Sequence, residues 1–174
     1  MSAIWLTGLS GAGKSTLAKA LCARLDQAGV GPLLLDGDEI RRRLPKTYGH
    51  DLPDRAEVLR HVVAMAKAAK AEALVPVVAT ISHQRWMRDL AREELAPMLE
   101  VWVDSPPEVC AARDPKGLYR RAKAGEFTCF IGVTHAYEPA LPGSAGPGLR
   151  LRTDELTEAE ALGRLVQAAL RHLA

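Results

Sequence analysis

The sequence predicts an α/β fold in which a parallel sheet of about five strands is flanked by helices on both faces. Five short apolar runs recur along the chain, and most are too continuous for strands that expose one face to water. Between them, apolar residues recur at the helical spacing of three and four. Strands and helices that alternate in this way form parallel sheets wrapped in helices. The predicted strands are Ala3–Thr7, Leu33–Asp36, Val77–Ile81, Glu100–Asp104 and Leu149–Arg152.

Length and composition limit the possible organisation. The 174 residues, 48% of them hydrophobic, suffice for one sizeable core but are too few for two ordinary domains. Residues 1–174 are therefore predicted to form a single domain. The formal net charge is only +2, from 23 basic and 21 acidic residues. A chain so nearly balanced has no overall field that favours nucleic acid or an anionic membrane.

Cysteine usage and the chain start bear on the cellular compartment. Cys22, Cys110 and Cys129 are odd in number and widely spaced, which indicates buried reduced thiols rather than disulfides or a zinc site. Met1 to Thr7 lack the basic segment of a secretion signal, and no apolar run approaches the ~20 residues of a membrane span. The sequence predicts a cytoplasmic protein without a membrane segment.

The first predicted strand leads directly into a glycine-rich motif. Residues 8–15 match G-x-x-x-x-G-K-[ST], and the motif lies between a strand and a helix, the context in which it binds phosphate. Glycines allow backbone N–H groups to turn towards phosphate oxygens, and the helix N-terminus adds its positive dipole end. The pattern predicts a P-loop NTPase fold with an ATP site formed by Gly8, Ser10, Gly11, Ala12, Gly13, Lys14, Ser15 and Thr16.

Within this motif, Lys14 is expected to reach the β- and γ-phosphates, and the Ser15 hydroxyl to ligate Mg²⁺. Phosphoryl transfer also needs a carboxylate near the metal and the acceptor hydroxyl, at the carboxyl ends of the strands. Asp38 is assigned to the acceptor hydroxyl or a magnesium-bound water, and Asp36 to support of the metal site. Asp104, which ends another apolar run, is the alternative metal-associated carboxylate.

Further candidates follow the strand ends. Arg41 begins a run of three arginines, and because successive helical positions lie about 100° apart, only one of the three can face the site. Arg41 is nearest to Asp38. Ser82 follows the third predicted strand at the ligand edge of the sheet. A row of arginines then shares one helix face, which is typical of a solvated surface as well as of a binding site: Arg85, Arg88 and Arg92.

Three segments of the second half have clear signatures. Residues 113–125 are basic and bounded by glycines, which is typical of a mobile lid, with a plain surface helix as the alternative. The many prolines and glycines of residues 137–148 predict a surface loop. Thr157 and Glu160 match a capping box and predict the start of a final amphipathic helix.

The assembled pattern resembles the adenosine 5′-phosphosulfate kinase family over nearly the whole chain. The resemblance is carried, in the family's order and approximate spacing, by GLSGAGKST, LLLDGDEIRRRL, ISHQRWMRDLAR, VDSPPEVCAARDPKGLYRRAKAGE and YEP at Tyr137–Pro139. It implies transfer of the γ-phosphoryl group of Mg·ATP to the 3′-hydroxyl of adenosine 5′-phosphosulfate. It also implies a role in sulfate assimilation, and a homodimer as a common assembly.

The same resemblance extends the set of site residues. Arg41 and Asp38 fall on positions that line the phosphosulfate pocket, and Arg55 matches another substrate-binding arginine. Ser82 matches a serine that is phosphorylated in some members. The remaining assignments are Arg113 at the ATP site, Lys116 in the lid at the acceptor site, and Phe130 as an aromatic that stacks on the adenine. The predicted catalytic residues are Lys14, Asp38 and Ser82.

Departures from the family pattern concentrate on the acceptor side. His50 stands where a second stacking aromatic is usual, and Val58 where an asparagine is usual. Thr80 and His83 replace phenylalanine and proline beside the serine, and Ile131 lies in an altered F-T-G-I-D motif. Val58 removes hydrogen-bonding capacity from this side, which allows a different base or anionic tail. Related kinases that phosphorylate a cytidine diphosphoramidate resemble this family closely, and this resemblance implies such a nucleotide as the second candidate acceptor.

Two classes of protein other than an active kinase share part of this sequence pattern. A GTP-dependent switch is suggested by the D-x-x-G pattern of residues 114–117, but that pattern lies well past any strand end and the N-K-x-D guanine motif is missing. A pseudokinase that only binds nucleotide stays an alternative, because the departures fall on the acceptor side and leave the phosphate motif intact.

Overall fold

The computed structural model describes residues 1–140 and 148–174. All five predicted strands are present; β2, β3 and β4 begin one or two residues earlier than predicted, and β3 also ends two residues earlier. The elements, in order, are β1 (Ala3–Thr7), α1 (Lys14–Gln27), β2 (Pro32–Asp36), α2 (Gly37–Arg43), α3 (Leu52–Ala71), β3 (Val75–Ala79), α4 (Arg85–Leu95), β4 (Met98–Asp104), α5 (Pro107–Arg113), α6 (Leu118–Lys123), β5 (Leu149–Arg152) and α7 (Glu158–Leu173).

The five strands form one parallel sheet in the order β2-β3-β1-β4-β5. The central strand β1 pairs with β3 on one side and β4 on the other, so that Trp5 lies opposite Val78 and Glu100. The chain passes from β1 to β2 and β3 on one side and then crosses from β3 to β4 and β5 on the other, and a crevice forms at such a point beyond the carboxyl ends of the strands. The glycine-rich motif follows β1 and therefore lies at this crevice.

Both faces of the sheet are covered, as predicted. Successive strand residues point to opposite faces, and along β1, Ile4 and Leu6 pack with α1 and α7 while Ala3 and Trp5 pack with α3 and α4. Every residue of β1 and β3 is buried. The edge strands β2 and β5 are only partly buried, because each has a neighbouring strand on one side only.

Side-chain caps fix the starts of α2 and α7. The Asp36 carboxylate accepts hydrogen bonds from the backbone N–H groups of Asp38 and Glu39, at 3.0 and 3.3 Å, and thus begins α2 directly at the end of β2. The predicted capping box of Thr157 and Glu160 is present at the start of α7, which confirms that prediction.

The cysteines, the helices and residues 137–140 bear on three further predictions. The cysteines are free thiols, with Cys110 and Cys129 buried and Cys22 half-buried, as expected. Within the described ranges, no helix is both long enough and apolar enough to cross a membrane. Residues 137–140 of the predicted loop belong to no helix or strand, whereas residues 141–147 lie outside the described part of the chain.

Candidate active site

A cleft of about 650 Å³ opens along the carboxyl ends of the strands, a volume typical of small-molecule sites. One wall is the glycine-rich motif of residues 8–15, which we call the phosphate loop. Arg113 and Thr16, both predicted at the ATP site, also line the cleft. We call the opposite side the acceptor wall; it consists of Asp38, Arg41, Arg55, Val58, Thr80, Ser82 and His83.

Backbone geometry explains the glycines of the phosphate loop. Gly8, Gly11 and Gly13 have φ values of 148°, 77° and 100°, a region that other residues rarely adopt. A Cβ atom on Gly8 would lie 2.2 Å from the carbonyl oxygen of Val103, and one on Gly11 would lie 2.8 Å from that of Cys110. Only glycine therefore allows the loop to curl closely before α1, where N–H groups and the helix dipole attract phosphate.

Lys14 is buried within the phosphate loop. Its ammonium donates a hydrogen bond to the carbonyl oxygen of Leu9 at 2.7 Å. Burial lowers the pKa of Lys14 to about 8, although the negative charge of Asp38 opposes this shift. Because an ammonium has three donors, Lys14 can bind a phosphate oxygen while it keeps the contact with Leu9.

Ser15 and Asp36 form the oxygen pair expected at a magnesium site. The Ser15 hydroxyl donates to one carboxylate oxygen of Asp36 at 2.5 Å, while the other carboxylate oxygen caps α2. Mg²⁺ prefers oxygen ligands, keeps several waters and needs few protein groups beside the phosphates, so this pair fits the ion. The alternative carboxylate, Asp104, is not among the cleft-lining residues and instead accepts hydrogen bonds from Arg150 at 2.6 and 2.9 Å.

Asp38 connects the acceptor wall with the predicted lid. Its carboxylate accepts a hydrogen bond from the Lys116 ammonium at 2.7 Å, across 78 positions of sequence. Burial alone would raise the pKa of Asp38, but the hydrogen bond and charge of Lys116, together with the charge of Lys14, hold it below its ordinary value. Asp38 is therefore ionised at neutral pH and can accept a proton.

Two arginines give the acceptor wall its positive charge. Arg55, nine-tenths buried, donates from Nε to the carbonyl oxygen of His50 at 2.7 Å. Arg41 donates from Nη1 to the carbonyl oxygen of Gly49. The buried Nε of Arg41 has no hydrogen-bond partner in the described part of the chain. Two guanidinium groups with a free donor in one cleft indicate an anionic ligand.

Ser82 is placed on the acceptor wall by contacts that sequence reasoning missed. Its φ of 42° is uncommon for a residue other than glycine, and its hydroxyl accepts a hydrogen bond from the Trp5 indole at 3.2 Å. Arg88 donates to the Ser82 carbonyl oxygen at 2.8 Å. Arg88 is only 3% exposed and pairs with Glu100, so this member of the arginine row is not solvated, whereas Arg85 is exposed. No local sequence signal marks these contacts.

Gly8, at the start of the phosphate loop, is not among the cleft-lining residues, and Phe130 also lies away from the cleft. It is buried, with its ring 5.0 Å from that of Tyr119 and 5.7 Å from that of Phe127, and it is not among the cleft-lining residues. Its predicted role in stacking on a base stays a prediction.

The structure also adds Thr153, which lines the cleft and donates to the carbonyl oxygen of Ala12 at 2.9 Å.

Strand, glycine-rich loop, buried lysine and helix, in this order on a parallel sheet, define a P-loop NTPase, and the facing wall of arginines and carboxylate is typical of a P-loop kinase. Comparison with known proteins identifies the family. The family model for adenylylsulphate kinase matches residues 1–145, and the chain belongs to this family.

Individual relatives agree with this assignment. The adenylyl-sulfate kinase of Paraburkholderia xenovorans is 43% identical over 164 residues, which cover 94% of this chain and 89% of the relative. That of Vibrio cholerae is 42% identical over 98% of this chain and 79% of its own length. Among solved structures, the Mycobacterium tuberculosis APS kinase CysC, in complex with AMPPNP and APS, superimposes with a TM-score of 0.86 at 35% identity, covering 99% of this chain and 96% of its own.

Proposed function

We propose that this chain is an adenylyl-sulfate kinase that transfers the γ-phosphoryl group of ATP to the 3′-hydroxyl of adenosine 5′-phosphosulfate. The observation that carries the proposal is the cleft, in which a phosphate loop faces a wall with two arginines and an ionised carboxylate. The loop suits a triphosphate, and the arginines suit an acceptor with an anionic tail. A relative that binds AMPPNP and APS together supports this pairing.

On the ATP side, the chain supplies positioning and positive charge. The N–H groups of the phosphate loop and the start of α1 hold the phosphates, and Lys14 neutralises charge that spreads over the transferring group. Ser15 would hold magnesium, and Asp36 would orient the Ser15 hydroxyl and the ion's water shell. Magnesium bound there supplies further positive charge beside the phosphates. Arg113 flanks this site from the lid side of the cleft.

On the acceptor side, Arg41 and Arg55 bind the phosphosulfate tail and so orient the ribose. The 3′-hydroxyl oxygen attacks the γ-phosphorus, its proton passes to the Asp38 carboxylate, the bond from the γ-phosphorus to the β–γ bridging oxygen breaks, and ADP leaves. Lys116 contacts one carboxylate oxygen of Asp38 in this structure. The other carboxylate oxygen is the one that would accept the proton of the hydroxyl.

Several further parts of the proposal need their own tests. We propose that residues 1–174 act as one kinase domain, because all five described strands belong to one sheet. Cytoplasmic location, service in sulfate assimilation, a homodimer, and the catalytic part of Ser82 stay predictions. The second candidate acceptor, a cytidine diphosphoramidate, is not favoured, because curated relatives that cover most of this chain are adenylyl-sulfate kinases.

The test is ADP release by the purified protein with Mg·ATP, measured separately with adenosine 5′-phosphosulfate and with a panel of cytidine diphosphate derivatives. The proposal predicts release that depends on the phosphosulfate, together with a product phosphorylated at the 3′ position by phosphorus NMR. If ADP is released with a cytidine compound but not with the phosphosulfate, the acceptor is the cytidine compound. ATP binding without turnover on any acceptor would identify a pseudokinase.

A further inference from the structure

His83 is a buried imidazole without an internal partner. The residue is 3% exposed and lines the cleft on the acceptor wall. Within the described ranges no hydrogen bond involves its ring nitrogens, whereas the buried side chains of Ser82 and Arg55 on the same wall each have one. Because buried polar groups in folded proteins are normally paired, an imidazole left open at a cleft points to a ligand.

The backbone around His83 is held rigidly. Glu138 donates its backbone N–H to the His83 carbonyl oxygen at 2.8 Å. The preceding residue, Ser82, is fixed twice, by the Trp5 indole at its hydroxyl and by the Arg88 guanidinium at its carbonyl oxygen. These contacts come from three separate segments of the chain. A side chain on such a support keeps its place before the ligand arrives, which is the arrangement that selective binding needs.

The chemistry of the ring suits a hydrogen bond rather than an ion pair. Burial, together with the positive charges of Arg55, His135 and Arg88, lowers the pKa of His83 to about 4, although the negative charge of Glu138 opposes this shift. At neutral pH the imidazole is therefore neutral, with one N–H donor and one acceptor nitrogen. Arg55, which is expected to bind the anionic tail, lines the same acceptor wall as His83.

We propose that His83 is a specificity-determining residue of the acceptor site, and that its imidazole N–H donates a hydrogen bond to the phosphosulfate tail beside Arg55. The inference rests on the proposed function, since it names the group that His83 contacts. It also gives the wall a neutral donor, which the neighbouring Val58 side chain cannot supply.

The test compares His83→Leu and His83→Asn with the wild type by steady-state kinetics. Leucine removes the donor, and asparagine keeps polarity but shortens the reach, so either variant should raise KM for adenosine 5′-phosphosulfate about tenfold, the usual effect of one lost hydrogen bond to a charged group. KM for ATP should stay within about twofold, and kcat within about threefold, because the proposed hydrogen bond is made to the phosphosulfate tail and not to ATP or the reacting hydroxyl. His83→Gln, which restores a donor at greater length, should recover most of the loss.

His61→Leu is the matched control, because His61 is an exposed histidine on α3 outside the cleft. An unchanged KM for the phosphosulfate in both His83 variants would overturn the proposal, and so would an equal rise in KM for both substrates, which indicates a structural role. If leucine prevents folding, His83→Asn decides the question alone. Absence of phosphosulfate turnover in the wild type would overturn the proposed function itself, a result visible without any variant.

Discussion

The phosphate loop and the acceptor wall face each other across one cleft, but they are built in opposite ways. The loop is a continuous segment whose shape follows from three glycines and the start of one helix. The wall collects side chains from α2, α3 and the segment after β3. A continuous loop has one backbone geometry that holds phosphate, whereas separate side chains on a wall can be combined in many ways to bind a ligand. Three departures from the family pattern, at Val58, Thr80 and His83, lie on the wall, whereas those at His50 and Ile131 are not among the cleft-lining residues.

The two sides also differ in how far they are completed before a ligand binds. Lys14 has an internal partner in Leu9, and Ser15 has one in Asp36. On the wall, the buried Nε of Arg41 has no such partner in the described part of the chain. The loop therefore supplies the chemistry common to P-loop kinases, and the wall depends on its ligand to satisfy its polar groups. Variants of single residues on each side of the cleft test this division.

Replacement of Lys14 by methionine should cause the largest loss. It removes the charge that stabilises the transferring phosphoryl group, so kcat should fall by about 10²- to 10³-fold. Turnover with saturating substrates measures this fall. Lys19→Met, on the exposed side of the same helix, should retain wild-type activity. Near-normal turnover of the Lys14 variant would show that the loop does not perform the assigned chemistry.

Asp38→Asn should cause the second-largest loss. We expect kcat to fall by about 10²-fold, because an amide cannot take the hydroxyl proton. ATP binding, measured by calorimetry, should change by no more than a few fold, since Asp38 lies on the acceptor wall. Glu39→Gln is the control, as its side chain pairs with Arg43 on the surface. Equal losses in turnover and ATP binding would assign Asp38 a structural role instead.

Arg55→Gln tests whether the acceptor wall binds the acceptor and not ATP. Loss of one charged hydrogen-bond donor should raise KM for adenosine 5′-phosphosulfate roughly 30-fold and leave KM for ATP nearly unchanged. Arg60→Gln on the same helix, where Arg60 is exposed and paired with Glu57, should have no effect on either constant. A comparable rise in both KM values would contradict the separation of the two sides.

The smallest effect concerns pH. Free Lys14 has a pKa of about 8 because of burial, and ATP binds its charged form, so Lys14 must take up a proton when ATP binds at higher pH. The dissociation constant of ATP should therefore rise roughly tenfold between pH 7 and pH 9. Calorimetry in buffers of different ionisation enthalpy would detect the proton uptake. In Lys14→Met this part of the pH dependence should disappear; a wild-type profile as flat as that of the variant would contradict the lowered pKa.

Much of the fold and half of the site were predictable from the sequence. The five strands, the capping box of Thr157 and the phosphate loop were all predicted, because each depends on residues that lie close together in the chain. Asp36 and Asp38 were expected at the cleft for a similar reason, since the carboxyl ends of parallel strands meet at one edge. Such features need only local periodicity and backbone geometry.

The tertiary structure alone decided what lies opposite each of these groups. Helical spacing put Arg88 on one face with Arg85, but only packing shows that Arg88 is buried against Glu100. Likewise, only the structure pairs Lys116 with Asp38 and Trp5 with Ser82, across 78 and 77 positions of sequence. Periodicity states which residues share a face; which partner meets that face depends on how distant segments pack, and sequence spacing carries no record of that.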